Sequence, residues 1–216
     1  YSIFESSKFI HIMHSTFQYQ KNPNFPNRYI SPKSLQNFLQ ENLSDYITLI
    51  GTSTLGEPIY QFSYGSGDIK VLAWSQMHGN ESNSTHCMLD LWYSLESQPQ
   101  LKEKLFQNIS LDFIFMLNPD GSKVWSRRNS LDIDMNRDYL QNASCEMKLL
   151  KEVAFSKKYD YALNLHEQRT IFSTDGKNPA TLSFLAPSYN EEREINESRL
   201  KAINLIASIN EELQKY

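Results

Sequence analysis

Val71-Leu72-Ala73-Trp74-Ser75-Gln76-Met77-His78-Gly79-Asn80-Glu81 runs from four consecutive apolar residues into a short polar turn, and the residues that follow change to helical spacing. A short apolar run bounded by turn residues predicts a buried strand over 71–74, inside a longer apolar stretch that begins at Ile69. Behind an N-cap at Ser82 or Ser84, a helix over 84–96 places Cys87 or Met88, Leu91, Trp92 and Leu95 on one face. Farther along, the same alternation recurs. Residues 111–117 are apolar but for Asp112 and end at Asn118-Pro119-Asp120-Gly121, a helix is expected over about 145–158, and the run 161–165, apolar but for Asn164, leads directly into His166. Upstream, 47–50 and the alternating 59–64 add strands around a Gly56-Glu57-Pro58 turn, while Ser31-Pro32 opens a helix carrying Leu35, Phe38, Leu39 and Leu43 on one side. Strands alternating with helices predict an α/β fold with a mixed, partly parallel central sheet flanked by helices. In such folds ligands bind beyond the carboxyl ends of strands.

The 216 residues suit one folding unit, expected as an N-terminal lead-in and helix over 1–46 followed by a single domain over 47–216. Residues 192–214 are charged with a stripe of Leu200, Ile203, Ile206 and Ile209, which predicts a helix packed by one face. Hydrophobic content of 40%, charged content of 21% and a net charge of −4 are ordinary for a globular chain. That balance excludes a basic nucleic-acid binder, and no apolar run approaches the ~18 residues of a membrane span, so a soluble protein with neither nucleic acid nor membrane as partner is expected. Cys87 and Cys145 lie in no metal-ligand spacing and are expected as buried free thiols. The chain starts at Tyr1 without a leader, which predicts a removed signal or a longer product, cytoplasmic or secreted.

His78 and Glu81 leave the strand in one tight turn and can converge on one ion as a two-ligand clip. A catalytic zinc takes three protein ligands, with two His and one Glu among the attested sets, and leaves a position open. His166 ends another strand and is the natural third ligand, because neighbouring strand ends meet at one rim of a parallel sheet. Arg127-Arg128-Asn129 and Asp134-Met135-Asn136-Arg137 follow a further strand and offer guanidinium and amide groups that can hold a carboxylate. For any one of these motifs alone the alternative is a solvated polar loop.

Taken in order, His78-Gly79-Asn80-Glu81, Asn118-Pro119-Asp120-Gly121, Arg127-Arg128-Asn129, Asp134-Met135-Asn136-Arg137 and Leu165-His166-Glu167 resemble the motifs of the M14-type zinc carboxypeptidases across about residues 47–175. The resemblance implies a metallocarboxypeptidase that uses one zinc ion to activate water against the C-terminal peptide bond of a peptide substrate with a free carboxylate. It implies His78, Glu81 and His166 as zinc ligands. Arg127, nine positions before Asn136, would support the oxyanion with Arg128 as second candidate, and Asn136 and Arg137 would grip the terminal carboxylate. The family's general base lies several dozen residues beyond the third ligand, whereas only 50 residues follow His166 here, mostly the polar, helix-like 190–214 stretch. The domain is therefore expected to be C-terminally incomplete and weakly active as it stands, with Glu167 orienting neighbours rather than acting as base. Two rivals remain: an N-acyl amino-acid deacylase of the succinylglutamate desuccinylase and aspartoacylase type, against which Asn118-Pro119-Asp120-Gly121 speaks, and a non-catalytic zinc or peptide binder. Substrate residue preference and oligomeric state are not encoded in these motifs.

Overall fold

A computed structural model describes residues 17–168, 173, 175–177 and 182–214; the first sixteen residues of the expected lead-in lie outside them. Of the described residues, 17–167 form one compact unit, and those from 168 onward belong to a second.

The first unit is built on a five-stranded sheet of β1 (Ile47–Thr52), β2 (Pro58–Tyr64), β3 (Ile69–Trp74), β4 (Ile109–Phe115) and β5 (Tyr161–Asn164), in the order β1-β2-β4-β3-β5. The β1–β2 and β2–β4 pairs are antiparallel, whereas β3 pairs in parallel with both β4 and β5. The sheet is thus mixed and partly parallel, with helices on both faces. Strand β4 begins and ends two residues earlier than the apolar run suggests, because Met116 takes a left-handed backbone (φ 47°) and Leu117 and Asn118 donate instead to the carbonyls of Ser75 and Gln76.

Alternation along the strands divides the core in two. One face is aromatic: Phe62, Phe113 and Phe115 meet Trp92, Phe106 and Phe25 beneath α1 (Pro32–Asn42), α2 (Asn83–Glu96) and α3 (Pro99–Phe106). The other is aliphatic, with Ile59, Leu72, Met77 and Ile114 covered by Met147, Leu150 and Val153 of α5 (Cys145–Ser156). Between β4 and α5, Pro119–Lys123 forms a one-turn helix, α4. Helix α1 starts as its sequence dictates, with the Ser31 hydroxyl accepting from Ser34 N and Pro32 at the first helical position.

Three features depart from the sequence expectation. Helix α3 was not foreseen, because its eight residues carry too short an apolar pattern to stand out. In α2 it is Met88 that turns inward. Cys87 is an exposed free thiol and Cys145 a half-buried one, so neither is the core cysteine expected. In the second unit, α6 (Glu197–Leu213) is capped by Asn196, whose side chain accepts from Arg199 N, and Leu200 on its apolar stripe is exposed. No described helix is long and apolar enough to cross a membrane.

Candidate metal centre

The carboxyl ends of β3 and β5 point to the same rim because the two strands are parallel neighbours, with Trp74 opposite Asn164 and Leu165 N donating to Trp74 O. Beyond β3 the chain turns through His78–Glu81, closed by Glu81 N donating to His78 O, before α2 begins. Gly79 is required here by close approach. A Cβ on it would lie 2.2 Å from the backbone of Gly121 and Ser122 in α4, nearer than atoms can come.

Three ligand atoms converge. His78 Nδ1 lies 2.8 Å from Glu81 Oε1 and 3.2 Å from His166 Nδ1, while His166 Nδ1 lies 2.9 Å from Glu81 Oε2. All lie within 4.8 Å of one another. His78 is almost wholly buried, and its Nε2 sits 3.1 Å from Asp134 Oδ1. If Nε2–H donates to Asp134, Nδ1 is left with a lone pair facing a carboxylate and a second imidazole nitrogen. Three electron-pair donors at such separations repel unless a proton or a cation lies among them, so the donor set and its spacing fit a divalent ion such as zinc. When protons rather than a cation lie between the rings and the carboxylate, burial would raise the Glu81 carboxyl, but hydrogen bonds from His166, His78 and Glu167 N, with the charge of His78, hold it at about 2. It therefore stands ionised at neutral pH.

Arg127 reaches the site through its guanidinium. Its Nη1 donates to His78 Nδ1 at 3.1 Å and to Glu81 Oε1 at 3.4 Å, and its Nε donates to Asp134 Oδ2 at 3.1 Å. Burial would raise Asp134 as well, yet hydrogen bonds with His78 and Arg127, and the charge of Arg127, hold its carboxyl below the usual range. Arg128 turns the other way and donates to Asp132 O at 2.7 Å. Asn136 stands at the edge of an apolar groove between α5 and the sheet, and Arg137 is exposed, donating to Asn136 O. The Glu167 carboxylate points away from the ligands to the Arg28 guanidinium, and only the Glu167 main-chain N–H reaches Glu81. His86 packs against Phe25 and lies 3.0 Å from Arg28 O, apart from the ligand set.

Sequence reasoning missed Asp134 and, although it counted Asn118-Pro119-Asp120-Gly121 among the motifs, gave its residues no role. Asn118 caps α4 through Gly121 N, and its Nδ2 reaches the carbonyls of Met77 and Arg127, so one side chain spaces a ligand strand from the arginine. Asp120 is buried and accepts from Ser53, Leu55 N and Ser130, tying the β1–β2 turn and the loop at Ser130 to α4. Asn129 bonds Glu146, Leu131 N and Ile133 N, which shapes the loop that carries Arg127. An Asp two residues before Asn136 was the available signal for Asp134, since a metal-bound histidine usually donates its other nitrogen to a carboxylate.

Known proteins resemble this chain in sequence and in fold. The zinc carboxypeptidase family model, Peptidase M14, matches residues 33–197. Carboxypeptidase 2 of Trichophyton rubrum is 29% identical over 100 residues, which is 45% of this chain and 19% of that protein, so the match spans about a fifth of that relative. Among solved structures, carboxypeptidase A from Helicoverpa armigera superposes with a TM-score of 0.57 at 15% identity, over 77% of this chain and 53% of that one. A metallo-carboxypeptidase from Burkholderia cenocepacia gives 0.55 at 20% identity, over 65% and 42%. These likenesses carry the fold, and the family match, which covers most of the chain, carries membership: this protein belongs to the zinc carboxypeptidase family, Peptidase M14.

Proposed function

We propose that His78, Glu81 and His166 hold one zinc ion and that the site serves hydrolysis of the C-terminal peptide bond of peptides. The observation that supports this reading best is the convergence of the three ligand atoms within 4.8 Å, with the Arg127 guanidinium touching two of the three residues. Zinc bound there would supply Lewis acidity to a water molecule and to the scissile carbonyl.

The protein groups would do the rest. Asp134 fixes the ring of His78 and its tautomer. Arg127 holds a fixed positive charge beside the ligands, where negative charge grows on the carbonyl oxygen during attack, and such preorganised charge is worth a few kcal/mol of barrier. Asn136 and Arg137, next along the chain from Asp134, would receive the substrate's terminal carboxylate. Arg137 has no ion pair among the described residues, and apart from Nη1, which donates to Asn136 O, its donors are open to a ligand. Arg128, tied to Asp132, is the less suited of the two adjacent arginines.

The test compares a free-acid peptide with its C-terminal amide on zinc-loaded protein. The acid should bind at least about tenfold more tightly, as expected for a charge-assisted hydrogen bond, and Arg137→Ala should erase most of the difference. Equal affinity for acid and amide would refute the carboxylate assignment, and protein that takes up no zinc would refute the metal assignment.

A further inference from the structure

Gln76 sits between β3 and the 78–81 turn, and its backbone is left-handed (φ 48°), a conformation that glycine adopts freely and other residues resist. Its side chain is fully buried and engaged at both ends. Nε2 donates to Gly79 O at 2.9 Å and to Ser122 Oγ at 3.3 Å, and Oε1 accepts from Thr85 Oγ1 at 2.5 Å. One amide therefore joins the middle of the ligand-bearing turn to α4 through Ser122 and to the first turn of α2 through Thr85. The Gln76 carbonyl accepts from Asn118 N, so the residue is fixed by main chain and side chain together. A buried side chain that only filled space would not need three directed hydrogen bonds, and a position that only needed the left-handed turn would be served by glycine.

We propose that Gln76 is a positioning residue for the metal ligands: by holding Gly79 O it keeps the 78–81 turn in the shape that presents His78 and Glu81 before any ion arrives. This rests on the zinc reading above. A space-filling role predicts that substitution changes stability alone, whereas a positioning role predicts that turn order and metal affinity change more than stability.

Gln76→Gly in the full chain removes the amide while relieving the backbone. Three quantities decide: the melting temperature of metal-free protein, hydrogen exchange of the Glu81 amide without metal, and the zinc dissociation constant by competition with a chelator. Exchange at Glu81 should quicken at least tenfold. Zinc should bind ten- to a hundredfold more weakly, the usual cost of losing a group that orients a ligand, while the metal-free melting temperature moves by less than about 4 °C. Unchanged exchange, or unchanged zinc affinity, would overturn the proposal. Should Gln76→Gly fail to fold, Thr85→Val leaves residue 76 in place and removes the bond to its Oε1, and the same measurements should shift in the same direction by a smaller factor. A wild-type chain that takes up no zinc would refute the metal reading instead, and exchange at Glu81 would then alone decide whether Gln76 holds the turn.

Discussion

Two limbs of backbone meet at the candidate metal centre, and they are held very differently. The first, β3 with the 78–81 turn, runs between β4 and β5, and its candidate ligand His78 is 1% exposed and gripped by Asp134. The second, β5 with His166, is four residues long and lies at an edge of the sheet, and the side chains of Ala162, Leu163 and Asn164 are exposed. An apolar groove of about 240 Å³ lies beside it, lined by Trp74, Met147, Phe155 and Ala162 among others. His166 is held at the rim by Glu81 itself. The contrast teaches that two of the three candidate ligands, His78 and Glu81, are preformed, and that the third, His166, is ordered in part by the bonds it makes at the centre. Preformed ligands lose less freedom on binding and so contribute more to affinity.

The largest test of that asymmetry is to remove each histidine in turn. His78→Ala should weaken zinc binding well beyond the 10- to 100-fold typical of outer-shell losses, and His166→Ala should weaken it by less than His78→Ala. Chelator competition on both variants reads the order directly, and stoichiometric zinc in both would end the assignment of the centre.

Stability should show the same imbalance. Gly79→Ala forces a Cβ to within 2.2 Å of backbone atoms of Gly121 and Ser122, which cannot move as a flexible side chain would. A cost of about 3 kcal/mol follows from overpacking of this kind. Leu163→Ala on the exposed limb should cost under about 1 kcal/mol. Urea unfolding of both variants compares them, and similar losses would mean the limbs are equally packed.

The same difference governs what could be read without coordinates. The β3 limb was legible, because a buried central strand is a continuous apolar run and the turn after it carries its own chemistry. That neighbouring strand ends of a parallel sheet meet at one rim was legible too, and it placed His166 with His78, whereas the strand order was not. Asp134 and Gln76 were not legible: both are polar residues in polar stretches, and their partners include His78, 56 positions from Asp134, and Ser122, 46 from Gln76. Asn118 and Asp120 look like loop residues for the same reason, although both are buried and fully bonded. Nor could the sequence show that Arg127 and Arg128, adjacent in the chain, turn to opposite partners.

Asp134 offers an intermediate test, since it acts on the preformed limb alone. Asp134→Asn keeps the shape and an acceptor for His78 Nε2 but removes the charge, and zinc affinity should fall about tenfold, the lower end for such partners. A fall as large as that of His78→Ala would mean that Asp134 is itself a ligand.

The smallest expected effect belongs to the foot of the β5 limb. Asp112 of β4 is buried and accepts from Ser63 Oγ at 2.7 Å, Tyr159 OH at 2.5 Å and Lys157 Nζ at 2.6 Å, the last two lying just before β5. Burial would raise its carboxyl, yet the hydrogen bonds from Lys157, Tyr159 and Ser63 outweigh that and hold it below the usual range. A carboxylate lowered on folding contributes stability that is present above the unfolded value of about 4 and is lost as pH falls through the lower folded value. Asp112→Asn should therefore cost about 1–2 kcal/mol at pH 7, where a charged acceptor is replaced by a neutral one, and progressively less toward pH 3. Thermal melts of both proteins across that range measure the gap. Because Lys157 and Tyr159 precede only the second limb, the variant at pH 7 should quicken hydrogen exchange across 161–165 while the Glu81 amide in the 78–81 turn keeps its protection. A gap independent of pH would show that Asp112 acts by shape, and equal loss of protection at both places would show that the two limbs open as one.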